Sequence, residues 1–209
     1  IIGGADATAN QFPYMASIQF KGGAQYCGGS IITLRHILTA GHCLNGKMPD
    51  DIEIRVGSLR SDEMGTVMAV KKIILHPQFN VDKNMVIFND VGVIVLDKAV
   101  AISSSVGLMS VALRAPADMT RCTISGYGFT AKNQSPANKK LLFVELPIVK
   151  KETCGEMIRL PEMTDGMDSG SPLVCPTANL PNPTMWQVGV VSIGICGEAW
   201  IAEQLLVLS

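Results

Sequence analysis

What most limits the folds open to this chain is the recurrence of short alternating runs between turn signals. In "DIEIRV", Ile52, Ile54 and Val56 fall on one side and Glu53 and Arg55 on the other, the period of a half-buried strand. Strand-like runs follow at "TVMAVKKIIL", "DVGVIVL", "RCTISGYG", "KLLFVELPIV" and "QVGVVSIGI". Clusters of Gly, Pro, Asn and Asp punctuate them at 21–29, 45–51, 130–138 and 176–183. Helical periodicity is confined to the end, where "GEAWIAEQLLVLS" sets Ile201, Leu205 and Leu208 on one face. Many short strands and one terminal helix predict an all-β sandwich or barrel. No repeat of 20–50 residues is visible, which argues against a propeller or solenoid.

A chain of 209 residues fits one domain, or two small halves sharing an interface, with the polar connection around 101–120 as the seam. Lys and Arg number 17 against 18 Asp and Glu, with no run of like charge, so neither nucleic acid nor a membrane surface is expected as a partner. Apolar stretches such as "VGVIVL" fall far short of the roughly 18 residues of a membrane helix. Six cysteines without a CxxC pair argue against zinc or a redox motif and favour disulfides in an oxidising compartment. The start, Ile1-Ile2-Gly3-Gly4, has no initiator methionine and no apolar signal segment, and reads as a mature form. These features together predict a secreted, extracellular protein. Asn133-Gln134-Ser135 matches a glycosylation acceptor, a signal weakened by Pro136. The eleven methionines are dispersed and read as core filler.

Three short strings carry chemistry. In "LTAGHC", His42 follows an apolar run; a lone histidine there is more often packed or exposed than catalytic, but imidazole supplies a base near neutral pH with little tuning. A bond from Cys43 to Cys27 would fix the turn that carries it. His36 and His76 lack such a setting and read as structural or exposed. In "FNDVGVIVL", Asp90 alone is an ordinary turn residue before a strand. Its functional alternative is a buried carboxylate that accepts the imidazole N–H and holds the tautomer. In "TDGMDSGSPLVC", Ser169 is a poor nucleophile unless a base takes its proton. Gly170, Ser171 and Pro172 give it a tight turn with room for a substrate, and its backbone N–H can help hold an oxyanion.

In the chain order His42, Asp90, Ser169, the sequence resembles the chymotrypsin/trypsin family of serine endopeptidases over nearly its whole length. "IIGG" looks like the family's activated terminus, "CGGSII" and "TAGHC" like its first disulfide and histidine, and "NDVGVIVL" like its aspartate. "CTISGYG" and "DSGSPLVC" resemble the segments of a second disulfide, "VVSIGI" the strand that pairs with substrate, and "AWIAEQLL" the terminal helix. The resemblance implies two antiparallel six-stranded β-barrels with a C-terminal α-helix, the active site lying in the cleft between them. Within one peptidase domain, 1–209, the N-terminal barrel would span about 14–105 and the C-terminal barrel plus helix about 118–209. The implied disulfides are Cys27–Cys43 and Cys122–Cys175. Ile1 would be an α-amino group released from a zymogen and ion-paired with Asp168. Ser192 would support Asp90, and Ile193 and Gly194 would line the substrate strand, Ile193 standing where the family usually has tryptophan.

The sequence also departs from the family. The motif GDSGGP appears as "DSGSP", and about a dozen residues of pocket wall are missing between "TDGM" and Asp168. A second deficit follows "SIGICGE". The first gap leaves Cys154 and Cys196 without the partners the family would give them. Asp165, in "TDG", reads as a turn residue rather than the base of a specificity pocket. Either these residues are deleted, or the sequence is joined across gaps; the missing loops are those the family disorders before activation, which favours the second. If the link is real, Met167 stands where a glycine N–H completes the oxyanion hole with Ser169. The leading expectation is thus a secreted serine endopeptidase acting through an acyl-enzyme on Ser169, with no cofactor or metal implied. It would be a monomer meeting polypeptide substrates and protein protease inhibitors, and no nucleic acid or membrane. The alternative is an inactive homologue that serves as a protein-binding module.

Overall fold

The computed structural model describes residues 1, 3–83, 85–128, 139–148, 168–176 and 184–192. In chain order its elements are β1 (Ala5–Asp6), β2 (Met15–Phe20), β3 (Gln25–Thr33), β4 (His36–Thr39) and the one-turn helix α1 (Gly41–Leu44). Then come β5 (Ile52–Val56), β6 (Thr66–Leu75), β7 (Asn80–Val81), β8 (Ile87–Phe88) and β9 (Gly92–Leu96). The second half adds β10 (Arg121–Gly126), β11 (Leu142–Pro147), β12 (Pro172–Pro176) and β13 (Met185–Val190). The fold is all-β, as the alternating runs predict, and no helix among the described residues is long and apolar enough to cross a membrane.

Six strands close the first barrel in the order β2-β3-β4-β9-β6-β5, with β5 pairing back onto β2. The pleat explains which residues fill it. Along β5 the buried set is Ile52, Ile54 and Val56, and along β9 it is Gly92, Ile94 and Leu96, each alternate residue pointing inward. These join Ile18, Ile31, Ile37 and Leu44 in one apolar core. β3 breaks the alternation: Cys27 through Ile31 are all buried. Its outer face is covered by the second half, where Gly28 N–H donates to the Ser169 carbonyl at 2.7 Å.

The second half is an antiparallel sheet in the order β1-β11-β10-β12-β13. Among the described residues it has five strands rather than the expected six, and the expected terminal helix lies outside them. Its core gathers Ile1, Cys122, Ile124, Leu142, Ile148, Leu173 and Cys175. Between the halves, residues 101–120 run without helix or named strand, hydrogen-bonding first to Ile31 through Met109 and then to Gln187 through Ser110 and Ala112. A buried bond from Ser30 Oγ–H on β3 to Gln187 Oε1 on β13, 2.5 Å long, ties the halves directly. Both disulfides implied by the sequence are closed, Cys27–Cys43 and Cys122–Cys175. Cys154 and Cys196, like Asp165 and the sequon at Asn133, lie outside the described residues.

Candidate active site

His42 sits in α1, immediately after β4. Gly41 precedes it because a side chain there would collide with Phe79, whose Cδ2 lies 2.7 Å from where a Cβ would stand. The next residue, Cys43, is bonded to Cys27 on β3 with Cα atoms 6.2 Å apart, so the turn is pinned to the barrel wall. Asp90 precedes β9 and is buried. One carboxylate oxygen, Oδ1, accepts the backbone N–H of His42 at 2.7 Å; the other, Oδ2, lies 2.7 Å from His42 Nδ1. Oδ2 also accepts the hydroxyl of Ser192. Burial works to raise the Asp90 carboxyl, but the hydrogen bonds and charge of His42 and the Ser192 hydroxyl outweigh it and hold it below the usual carboxylate range.

Ser169 occupies the tight turn before β12, closed by Ser171 N–H to the Asp168 carbonyl at 3.0 Å. Gly170 takes a φ of +82°, and a Cβ there would overlap Thr39 Oγ1 and the Gly28 carbonyl. Gly170→Ala is therefore expected to cost about 1–3 kcal/mol through the strained φ alone, seen as a lowered urea midpoint, and to displace Ser169 from β3. Ser169 Oγ–H donates to the Ser192 carbonyl at 3.2 Å. Ser192 thus touches both Asp90, through its hydroxyl, and Ser169, through its carbonyl.

Beside Ser169, the Asp168 side chain points into the second half. Its Oδ2 is 2.9 Å from the Ile1 amino nitrogen, and its Oδ1 accepts Gly128 N–H at 2.8 Å. Burial raises the Asp168 carboxyl; the Ile1 ammonium and Gly128 N–H offset only part of that. The pair persists because an isolated buried charge would cost several kcal/mol more.

The structure thus brings His42, Asp90, Ser169 and Ser192 together at the junction of the halves, with Ile1 and Asp168 behind them. Met167, Ile193 and Gly194 lie outside the described residues. His36 and His76 serve local structure: His36 Nδ1 is 2.6 Å from Thr33 Oγ1, and His76 Nδ1 accepts Gln78 N–H at 3.2 Å. Among the described residues, the grouping close enough to hold a metal is Cys27, His42 and Cys43, but both sulfurs are spent in their disulfide and offer no thiolate. Gly128, which holds Asp168, escapes the sequence reading; its signal is the glycine pair of "SGYG" after a strand.

The family model described as Trypsin matches residues 1–201. Trypsin alpha-4 of Lucilia cuprina is 36% identical over 74% of this chain and 58% of its own length. Hypodermin-B of Hypoderma lineatum is 30% identical over 84% of this chain and 65% of its own length. Trypsin epsilon of Drosophila erecta is 31% identical over 95% of this chain and 79% of its own length. The chain spans less than two thirds of the length of the first two.

Proposed function

Because the chain belongs to the trypsin family of serine peptidases, we propose that it is a secreted serine endopeptidase cleaving polypeptides through an acyl-enzyme on Ser169. The observation that carries this reading is the two-point hold of Asp90 on His42, at backbone N–H and Nδ1. A carboxylate held below its usual range stays ionised, fixes the tautomer with the proton on Nδ1, and leaves Nε2 free to act as base.

The steps follow from that tautomer. Ser169 Oγ attacks the substrate carbonyl as its proton passes to His42 Nε2. The oxyanion that forms is stabilised by the N–H of Ser169 and, in this reading, that of Met167. His42 then gives its proton to the leaving amine, and the amine departs. Water attacks the acyl-enzyme by the same route, returning the proton to Ser169. Asp90 stays ionised throughout and stabilises the imidazolium. Ile193 and Gly194 extend the site toward the substrate backbone. Cleavage of a propeptide before Ile1 would free the amine that pairs with Asp168 and orders the turn carrying Ser169. Two disulfides suit an oxidising, extracellular setting. Protein protease inhibitors, which present a peptide to such a site, are the expected macromolecular partners of a monomeric enzyme.

Treatment of the processed protein with a phosphonofluoridate tests the reading. A covalent adduct on the Ser169 peptide, absent from Ser169→Ala, is the expected result. Folded, processed protein that takes up no label would defeat it and leave the protein-binding homologue.

A further inference from the structure

The nucleophile turn holds a polar group that this mechanism leaves idle. Ser171 is completely buried, and its hydroxyl has no hydrogen-bond partner among the described residues. An unpartnered buried hydroxyl is a net cost to a fold and calls for a reason. The turn does not require it. Ser171 closes the turn with its backbone alone, donating N–H to the Asp168 carbonyl at 3.0 Å and accepting Val191 N–H at 2.9 Å. The motif that "DSGSP" resembles has glycine at this position, so the hydroxyl departs from that motif.

The space around it is made by two glycines from different halves. A Cβ on Gly28 of β3 would overlap Ser171 Oγ. A Cβ on Gly126 of β10 would lie 2.8 Å from Ser171 Oγ and would overlap Asp168 Oδ1. Ser171 Oγ and Asp168 Oδ1 therefore flank the same point beside Gly126. The carboxylate is already engaged, with Oδ2 on the Ile1 ammonium and Oδ1 on Gly128 N–H. A third donor stands next to it without a bond.

We infer that Ser171 is a positioning residue for the Ile1–Asp168 pair: its hydroxyl is the alternative donor to Asp168, unsatisfied while the Ile1 ammonium holds the carboxylate and satisfied when the ammonium is gone. The inference rests on reading Ile1 and Asp168 as the activation pair. It gives the unpaired form a hydrogen bond that the paired form lacks, and so biases the protein toward its latent state. The charge acting on Asp168 is that of the Ile1 ammonium; the other groups that hold it or face it are Gly128 N–H and the Ser171 hydroxyl, neither of which titrates in the accessible range. Around Ile1 the packing is apolar, from Ile124, Leu142, Ile148 and Leu173. Ser171 therefore influences pH behaviour only through the pair.

The test reads the Ile1 amine rather than catalysis. Processed protein with Ser171, and its Ser171→Ala, Ser171→Gly and Ser171→Cys variants, all carrying Ser169→Ala to prevent self-digestion, are exposed to trace acetic anhydride over a pH series. Acetylation of the terminal peptide is then followed by mass spectrometry, and thermal melts establish that each variant is folded. Removing the hydroxyl is expected to raise the pH midpoint of Ile1 protection by about one unit, with the weaker thiol donor of the Cys variant falling between. Ala and Gly are independent truncations, so one folded variant suffices. A midpoint that stays put or falls overturns the inference, because cutting away a merely space-filling group cannot strengthen the pair. An amine that reacts in the parent protein as freely as in unfolded chain removes the pair and the inference together. Phosphonofluoridate labelling of protein with Ser169 intact then shows separately whether the peptidase reading stands.

Discussion

Replacing His42 by alanine is expected to lower kcat by about 10⁶-fold and Asp90→Asn by about 10⁴-fold, the magnitudes typical of serine peptidases with this triad. KM should change little in either, because neither side chain is assigned to holding the substrate. The difference between the two follows from what each loses. Without His42 the base proposed to take the Ser169 proton is gone. In the Asp90→Asn variant the imidazole remains, but an amide presents one acceptor and one donor where Asp90 presents two acceptors. Both Asp90 oxygens accept hydrogen bonds, Oδ1 from the His42 backbone and Oδ2 from His42 Nδ1 and the Ser192 hydroxyl. Whichever way the amide turns, its NH₂ faces a donor. If it faces Nδ1, the favoured tautomer puts the proton on Nε2, where it blocks the base. The double variant should be no slower than His42→Ala, since the two residues act as one unit. Steady-state kinetics on a peptide ester, with melts to establish folding, check all three variants. A double variant slower than His42→Ala by the full Asp90→Asn factor would show that Asp90 does not act through His42.

The strands with one face buried are legible in the sequence: β5 and β9 alternate because only one side of each meets the core. β2 does not read as a strand, because Met15 to Gln19 are all buried and leave no alternation to see. β12 begins at Pro172, a residue that reads as a turn; a strand's first position tolerates it because no ladder N–H is needed there. The site is legible where its chemistry lies in short strings, around His42, Asp90 and Ser169. What escapes is contact between distant segments. Nothing local in "CGGS" or "MWQVG" says that Ser30 will meet Gln187, since that depends on how the two halves pack. Ser171 reads as part of a tight turn, while its place between Gly28 and Gly126 needs both sheets in position. The pocket segments around Met167, Ile193 and Gly194 lie outside the described residues.

Asp168→Asn is expected to abolish the protection of the Ile1 amine at every pH while the melting temperature holds, because the ammonium, left without its counter-charge, gives up its buried place for solvent. Labelling of Ser169 should fall with it, since the turn carrying Ser169 begins at Asp168. The same carboxylate gives an order to acid titration. Burial raises Asp168 above the ordinary aspartate value of 3.8, whereas His42 and Ser192 draw Asp90 below it. The signs differ accordingly. A raised acid contributes stability fully below its unfolded value and loses it as pH rises through the folded one, so protonating Asp168 opens the ion pair without itself unfolding the chain. A depressed acid contributes above its unfolded value and loses that as pH falls through the folded one, so protonating Asp90 does weaken the fold. On acidification from neutrality, the Ile1 pair should open first, above the ordinary carboxylate range, while the melting temperature holds. The His42 contact should fail later, together with stability. Carbon NMR of the two carboxyl groups, run beside thermal melts across the same pH series, resolves the two steps, and Asp168→Asn should delete only the earlier one. An Asp168 midpoint below that of Asp90 would reverse the order and sink the account of burial acting on this pair.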